Sequence, residues 1–165
     1  SDLIDRVTNL PMVKVLHKTL DKILESGAGR KLDLFVMAIG IDECEMLIKE
    51  YGYVVGDKIH LYLSKTIDNA TRIEHPLFKD SDGRFLLLLN RVEAVEAQEI
   101  ANRIKARIRA SKLMYMDYVI NLSVSLSVVS HNVGDSVESL YVRATELLAD
   151  AMQKSNNNMI IDLGV

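Results

Sequence analysis

The stretch KDSDGRFLLLLN (residues 79–90) places a short polar loop directly before five consecutive apolar residues. Asp82 and Gly83 form a strong hairpin signal, because both residue types tolerate the positive φ that a tight turn needs. The apolar run after them is short, so we expect a strand that is buried on both faces. This stretch therefore predicts a β-hairpin that delivers a strand to the interior of a layered fold.

The same alternation of strands and helices extends outward from this hairpin. LDLFVMAIGI (residues 32–41) predicts a second buried strand, NLSVSLSVV a half-buried strand with a polar serine face, and MIIDL a last strand. Apolar residues at helical spacing predict helices around Leu16, after Asp42, from Val55, around Ile104 and around Leu148. Strands joined by a hairpin and interleaved with helices indicate an α+β fold, an α/β sandwich with a mixed, mainly antiparallel sheet and helices on its faces.

Composition excludes several classes of protein. The 165 residues are 26% charged and 48% hydrophobic with a net charge of −3, so we expect one domain over residues 1–165 and no nucleic-acid partner. Cys44 is the single cysteine, which rules out an internal disulfide. No apolar run approaches the roughly 20 residues that cross a bilayer, and no signal-peptide pattern is present, so we expect a cytoplasmic domain without membrane insertion.

Four motifs in order carry a resemblance to a known family: DRVTNLP (residues 5–11), GIDECEMLIKEYGYVVGD (residues 40–57), SDGRF (residues 81–85), and the closing helix and strand. Together they resemble the GGDEF domain of bacterial diguanylate cyclases over essentially the whole chain. The resemblance implies a ferredoxin-like or adenylyl-cyclase-like fold and a place in cyclic di-GMP signalling. It also implies a larger multidomain parent from which this domain is taken, since such domains usually accompany sensor and phosphodiesterase domains.

The resemblance also shows where the metal chemistry of the family has been replaced. Its metal ligands fall on Gly40 and Gly83, which have no side chain to offer, although Mg²⁺ needs oxygen ligands. The signature glutamate falls on Arg84, which places a positive charge where a cation should bind. We therefore expect no catalytic residues, no metal ligands and no Mg²⁺ cofactor. The degenerate signature loop consists of Ser81, Asp82, Gly83, Arg84 and Phe85.

Most positions that the family uses to hold nucleotide are replaced as well. The guanine-reading asparagine falls on Ile48, and three basic phosphate contacts fall on Glu45, Met152 and Asn156. The residual candidates for nucleotide binding are Asp57, Asp42 and Arg84, although an aspartate such as Asp57 is more often a helix N-cap. Arg72 is the remnant of the inhibitory RxxD motif, whose aspartate is here His75. Cys44, at an aromatic position of the family, suits a small buried hydrophobe better than a reactive thiol.

Three interpretations follow. The first is a catalytically inactive GGDEF-type domain that serves as a regulatory, scaffolding or dimerisation module. Mutational drift would damage the core and the site alike, whereas the core pattern of this chain is intact. Such a module would act on a protein partner, an adjacent domain of its parent chain or a second copy. The second is a non-catalytic sensor that binds GTP or cyclic di-GMP weakly, through Asp57 and Arg84. The third, least favoured, is an active cyclase with a rebuilt site. The substitutions predict that the chain is not an enzyme.

Overall fold

A computed structural model describes residues 3–164 of the chain. The elements follow one another as α1 (Val13–Ser26), β1 (Leu34–Ile41), α2 (Cys44–Tyr51), α3 (Tyr53–Ala70), β2 (Leu77–Lys79), β3 (Phe85–Asn90), α4 (Ala94–Ala110), β4 (Lys112–Tyr115), β5 (Tyr118–Asn121), β6 (Val124–Ser130), α5 (Val137–Lys154) and β7 (Met159–Asp162). The predicted helices and the predicted strands are all present. The closing strand, Met159–Asp162, has nearly the limits of the predicted MIIDL segment.

The main sheet has five strands in the order β2-β3-β1-β6-β7. All neighbouring pairs are antiparallel except β6 and β7, which run parallel. Strand β1 lies at the centre, with Ala38 opposite both Leu86 of β3 and Ser127 of β6. All eight residues of β1 are buried, as the sequence predicts for a strand covered on both faces. The α+β architecture with a mainly antiparallel sheet is confirmed.

Helices cover the two faces of this sheet and divide the core in two. Helices α3 and α4 pack on the face that carries Met37, Ile39 and Leu87. Helices α1 and α5 pack on the face that carries Val36, Ala38 and Leu88. The split follows from the period of two along each strand, which sends neighbouring side chains to opposite faces. Among residues 3–164, no helix is both long and apolar enough to cross a membrane.

A two-stranded ribbon formed by β4 and β5 was not predicted. The two strands pair antiparallel, with Tyr115 opposite Tyr118, and Met116 at the turn has a φ of 52°. The sequence of this ribbon has short mixed strands and no glycine at the turn, so it lacks the pattern of a hairpin. Tyr118 holds the ribbon near α2 through an edge contact with the ring of Tyr51, whose centroid is 5.5 Å away.

The N-cap interpretation of Asp57 is wrong, and Arg72 lies outside the strands of the sheet. The strand before the signature hairpin covers only Leu77–Lys79, so Arg72 lies outside it, in an exposed turn where its guanidinium faces Glu74 at 3.8 Å. Helix α3 begins at Tyr53, two residues before the predicted Val55, because Gly52, with a φ of 93°, provides the break after α2. Asp57 is therefore an exposed residue inside the helix and does not cap its start.

The serine-rich strand β6 is buried along its whole length and not on one face only. Its serines satisfy their hydroxyl groups inside the protein: Ser125 donates to Asp42, and Ser127 donates to the carbonyl of Ala144 at 2.6 Å. A serine can be fully buried at low cost when its hydroxyl is hydrogen-bonded. The alternation in the sequence therefore marks a strand that bonds to α5 and to the end of β1, and not a solvated face.

This packing makes the substitution Ser127→Val informative. On a solvated strand face valine would be neutral or stabilising, because β-branched residues favour strands. Against α5 it must lose the hydrogen bond to Ala144 and fit extra methyl groups into a contact of 2.6 Å. We expect a loss of about 1–3 kcal/mol in the free energy of unfolding, measured by urea denaturation. Ser81→Val, at an exposed position, is the matched control, and an unchanged Ser127→Val protein would contradict the packing.

Candidate functional site

A cavity of about 560 Å³ lies beside the signature hairpin, where the end of β1 meets α2, α3 and α5. Its volume is in the range of small-molecule pockets. The residues that line it are Gly40, Ile41, Cys44, Glu45, Ile48, His60, Ser81, Asp82, Gly83, Arg84 and Met152. Four of the five residues of the signature loop thus line one cavity, together with the positions that the family resemblance marks on β1, α2 and α5. We call this the hairpin cavity.

The carboxylate of Asp80 holds the hairpin in shape. Its side chain is only 1% exposed, and it accepts hydrogen bonds from the backbone amides of Asp82 and Arg84, both at 3.0 Å. It also accepts from the Arg84 guanidinium at 2.6 Å and from the Tyr141 hydroxyl of α5 at 2.9 Å. Gly83 completes the turn with a φ of 80°, in the region that favours glycine. A buried carboxylate is tolerated when this many donors satisfy its oxygens.

Arg84 carries a fixed positive charge at the wall of the hairpin cavity. Its guanidinium donates to Asp80, to the exposed carboxylate of Asp82 at 3.0 Å and to the Tyr141 hydroxyl at 3.2 Å. Burial opposes this charge, but the hydrogen bond and the negative charge of Asp80 outweigh it, so the pKa of Arg84 is raised. Burial and the neighbouring Asp80 also raise the pKa of Tyr141 to about 12, so this phenol stays neutral and acts as a donor.

The two glycines at the family's metal positions supply no ligands, and neighbouring side chains occupy the space beside them. A Cβ on Gly40 would lie 2.7 Å from the Met152 sulfur, so the thioether of α5 already fills the place where a side chain would begin. A Cβ on Gly83 would lie 3.2 Å from the imidazole of His60. Within residues 3–164, no group of three or more His, Cys, Asp or Glu side chains is placed to hold a metal ion. The residues at these positions therefore do not fit a divalent cation held in the family's manner.

Asp42 does not line the hairpin cavity. It is buried, with 5% exposure, and its carboxylate accepts from the hydroxyls of Ser123 at 2.6 Å and Ser125 at 2.7 Å, and from the backbone amide of Asn157 at 2.7 Å. These bonds tie the end of β1 to the start of β6 and to the loop before β7. The structure thus gives this candidate nucleotide contact a structural role.

The remaining predicted site residues lie apart from one another. Asp57 is exposed on α3 and is not among the residues that line the hairpin cavity, although its charge acts on His60 one turn further on. Arg72 lines a separate cavity of about 350 Å³ with Glu74, His75 and Arg91. Of the three residual nucleotide candidates, only Arg84 lies at the hairpin cavity.

Two further side chains in the hairpin cavity have notable chemistry. His60 is half-buried, its Nδ1 is buried without a hydrogen-bond partner, and its ring lies 5.9 Å from that of Phe85. Burial, with the charge of Lys79, lowers its pKa to about 4, so the imidazole is neutral at pH 7. Burial and then Glu45 raise the pKa of Cys44, which favours the unreactive thiol. Sequence reasoning missed His60 because an isolated histidine in a helix has no spacing that marks it.

Comparisons with known proteins show the family. The profile described as "Diguanylate cyclase, GGDEF domain" matches residues 2–158. Diguanylate cyclase A of Treponema denticola is 27% identical over 139 residues, which are 84% of this chain and 38% of that protein. Two solved structures share the fold at 18% identity: the diguanylate cyclase SiaD of Pseudomonas aeruginosa with its activator SiaC, and the GGDEF domain of DgcB of Caulobacter crescentus in complex with c-di-GMP.

The TM-scores of these two structures are 0.90 and 0.89, over 96% and 98% of this chain and 61% and 96% of theirs. The fold is therefore that of a GGDEF-type domain. This chain belongs to the GGDEF domain family of diguanylate cyclases. It spans little more than a third of the length of its relative in T. denticola.

These findings contradict the expectation that the chain is not an enzyme. The relative in T. denticola is named a diguanylate cyclase, and so is the structural neighbour SiaD, and these names point to an enzyme. The expectation rested on replaced side chains at single positions, notably Gly40, Gly83 and Arg84. A replacement at one of these positions removes a ligand that the family uses. It does not by itself determine what the other residues of the hairpin cavity can bind.

The bonds around Asp42 predict a large effect of Asp42→Ala on stability. The substitution leaves two serine hydroxyls and the Asn157 amide without their acceptor, which should lower the free energy of unfolding by about 2–4 kcal/mol. Asp57→Ala is the matched control, because its exposed carboxylate should contribute less than about 0.5 kcal/mol. Urea denaturation measures both values. Equal effects would show that Asp42 does not have this structural role.

The buried imidazole of His60 predicts a pH dependence of stability. The pKa falls from 6.5 to about 4 on folding, so between these values the unfolded chain binds a proton that the folded chain does not. The contribution of His60 to the free energy of unfolding is fully present above pH 6.5 and is lost as the pH falls toward 4. His60→Gln removes this contribution, so the free energy of unfolding of wild type should fall relative to that of the variant as the pH is lowered from 7 to 5. Urea denaturation at both pH values tests this, and parallel pH curves would contradict it.

Proposed function

We propose that this GGDEF domain works in the cytoplasm as a regulatory module of cyclic di-GMP signalling, whose input is a guanine nucleotide bound in the hairpin cavity. GTP and cyclic di-GMP are the two candidates for this ligand. The output is a contact with a protein partner, with an adjacent domain of the parent chain or with a second copy of this domain. The input and the output of this proposal each have a counterpart among the structural neighbours. SiaD is in complex with its activator SiaC, and DgcB is in complex with c-di-GMP.

The observation that carries the proposal is the position of Arg84 in the hairpin cavity. The cavity has the size of a ligand pocket, and the guanidinium is fixed at its wall by Asp80 and Tyr141. An arginine that is held in one orientation loses little entropy when it binds phosphate oxygens, and among residues 3–164 its Nη1 has no hydrogen-bond partner and is the donor left for them. Its side chain is 28% exposed, so part of the guanidinium is accessible to a ligand.

His60 provides a second polar group for the same ligand. A neutral imidazole offers one donor and one acceptor, which suits the edge of a purine base better than a phosphate. Its position between Gly83 and Phe85 places it against the floor of the hairpin cavity. In this cavity Ile48, at the position of the family's guanine-reading asparagine, has only an apolar side chain. We propose that His60 contributes the polar contact to the base.

We propose further that the ligand binds without a resident divalent cation. The carboxylates at the hairpin cavity are Glu45 and Asp82, and Asp82 is already paired with Arg84. The positive charge of Arg84 takes over part of the role of a metal in balancing phosphate charge. Binding of nucleotide should therefore be nearly the same in Mg²⁺ and in EDTA.

A second candidate function is synthesis of cyclic di-GMP by the chain itself, and the names of its relatives favour it. In that case Glu45, Asp82 and the phosphates of GTP must together hold the metal that the reaction needs, since the two glycines cannot. Such a site would depend on Mg²⁺ or Mn²⁺ for activity. Metal dependence thus separates the two candidate functions.

One set of titrations tests the proposal. Isothermal titration calorimetry of the domain with GTP, GDP, ATP and cyclic di-GMP, in Mg²⁺ and in EDTA, should show binding of a guanine nucleotide in both buffers. Arg84→Gln should weaken this binding about tenfold, because it removes a charged hydrogen-bond donor worth about 1.5–3 kcal/mol. Lys65→Gln is the matched control, since this exposed lysine lies on α3 away from the hairpin cavity.

The remaining outcomes distinguish the alternatives. Equal binding of GTP and ATP, unchanged by His60→Leu, would contradict the contact between His60 and the base. Absence of nucleotide binding in both buffers would contradict the nucleotide input. Formation of cyclic di-GMP from GTP would establish the second candidate function. It is measured by chromatography of reactions that contain Mg²⁺ or Mn²⁺.

A further inference from the structure

A second cavity, of about 600 Å³, lies at the end of β3 that is farther from the signature hairpin. It is formed by the last turns of α1, the loop that leads into β1, and the connection from β3 to α4. The residues that line it are Lys22, Ile23, Ser26, Arg30, Lys31, Leu32, Asp33, Asn90, Arg91, Val92 and Glu93. We call it the basic cavity. The proposed nucleotide input does not use it.

Positive charge predominates in the basic cavity. Lys22, Arg30, Lys31 and Arg91 contribute four cations, against the two carboxylates of Asp33 and Glu93. Lys31 is anchored, because its ammonium donates to the Ser130 hydroxyl at 2.8 Å and to the His131 carbonyl. Three different segments of the chain supply these cations, so their convergence is a product of the fold and not of a local charge run.

Arg91 is the exceptional member of this group. Its φ is 60°, in the left-handed region that costs an arginine about 1 kcal/mol or more and that glycine or asparagine adopts readily. Its neighbour Val92 is buried and donates its amide to the Asp33 carbonyl at 3.1 Å, which fixes the backbone on that side. Among the described residues, the Arg91 guanidinium has no hydrogen-bond or ion-pair partner. A strained backbone thus carries an exposed, unpaired cation in the wall that the basic cavity shares with the smaller cavity of Arg72 and Glu74.

We propose that the basic cavity binds a small molecule that carries an oxyanion group, a phosphate or a carboxylate, and that Arg91 is its principal contact. A guanidinium binds either group through two parallel hydrogen bonds. Lys22 has a free ammonium at the same cavity and adds a second positive charge. The anchored ammonium of Lys31 adds a positive charge in a fixed position. The unfavourable backbone conformation of Arg91 is then explained by the need to orient this side chain toward a ligand.

Calorimetric titration of the wild-type domain with pyrophosphate and with citrate tests the proposal and separates the two sources of the oxyanion. Each is titrated at constant ionic strength, with sodium chloride as the reference for screening. We expect at least one of them to bind, and Arg91→Asn to weaken that binding tenfold or more. Asparagine tolerates the left-handed backbone, so the variant removes the cation and keeps the turn.

The same variant has a second readout that a purely structural role would not produce. Relief of the strained φ should leave the melting temperature of the ligand-free Arg91→Asn protein equal to that of wild type or raise it by up to about 2–4 °C. Weaker binding in a protein of equal or higher stability identifies Arg91 as a ligand contact. Lys65→Gln is the matched control for the loss of one positive charge and should bind as wild type does.

Three results would overturn the proposal. The first is no binding of either anion by wild type beyond the sodium chloride reference. The second is equal binding by wild type and Arg91→Asn. The third is binding that Arg84→Gln abolishes and Arg91→Asn does not, which would place the anion in the hairpin cavity. Because the two arginines lie in different cavities, failure here and failure of the nucleotide proposal are distinguishable.

Discussion

The burial of β1 on both faces is the constraint on which the rest of this domain depends. Eight consecutive residues without an ionisable side chain occupy the centre of the sheet, with β3 on one side and β6 on the other. Because both faces must be covered, one pair of helices packs on each face, and this requirement produces the two cores. The constraint reaches the hairpin cavity through Gly40, which belongs to β1 and meets Met152 of α5.

A second interaction decides how the signature hairpin can behave. Asp80 is a buried carboxylate, and such a group is unfavourable unless donors surround it. Here two backbone amides, a guanidinium and a phenol supply the donors. Loss of any one leaves the carboxylate less compensated, so Arg84 has a structural role, and among residues 3–164 only its Nη1 nitrogen lacks a hydrogen-bond partner. The cation at the signature position is thus an integral part of this hairpin and not an accidental charge on a flexible loop.

Whether a feature of the fold could be predicted from the sequence depended on the kind of sequence pattern that the feature produces. The apolar runs of β1 and β3 and the Asp82-Gly83 turn predicted the sheet and the hairpin correctly, because burial on both faces leaves a continuous apolar signature. The alternation in β6 predicted the strand but not its full burial, since a serine satisfied inside the protein looks the same as one in water. The β4–β5 ribbon has no glycine turn and was missed.

For the site, the family motifs located the hairpin cavity but did not describe its contents. Asp42 keeps the motif residue and has a structural function, whereas His60 lies outside every motif and lines the cavity. Side-chain partners such as Ser123 and Asn157 come from distant parts of the chain, and their convergence follows from tertiary packing, which a spacing pattern does not encode. Replaced residues at Gly40 and Gly83 led to the conclusion that the chain is not an enzyme, which the named relatives contradict.

Helix α1 connects the two cavities physically. Lys22 on α1 lines the basic cavity, and one and a half turns earlier His17 contacts Tyr141 of α5, with ring centroids 5.6 Å apart. The Tyr141 hydroxyl donates to Asp80, which fixes Arg84 in the hairpin cavity. Strand β3 also runs between the cavities and is hydrogen-bonded to β1 and β2. Residues of α1 thus take part in both surroundings, Lys22 directly at the basic cavity and His17 through Tyr141 and Asp80 at Arg84.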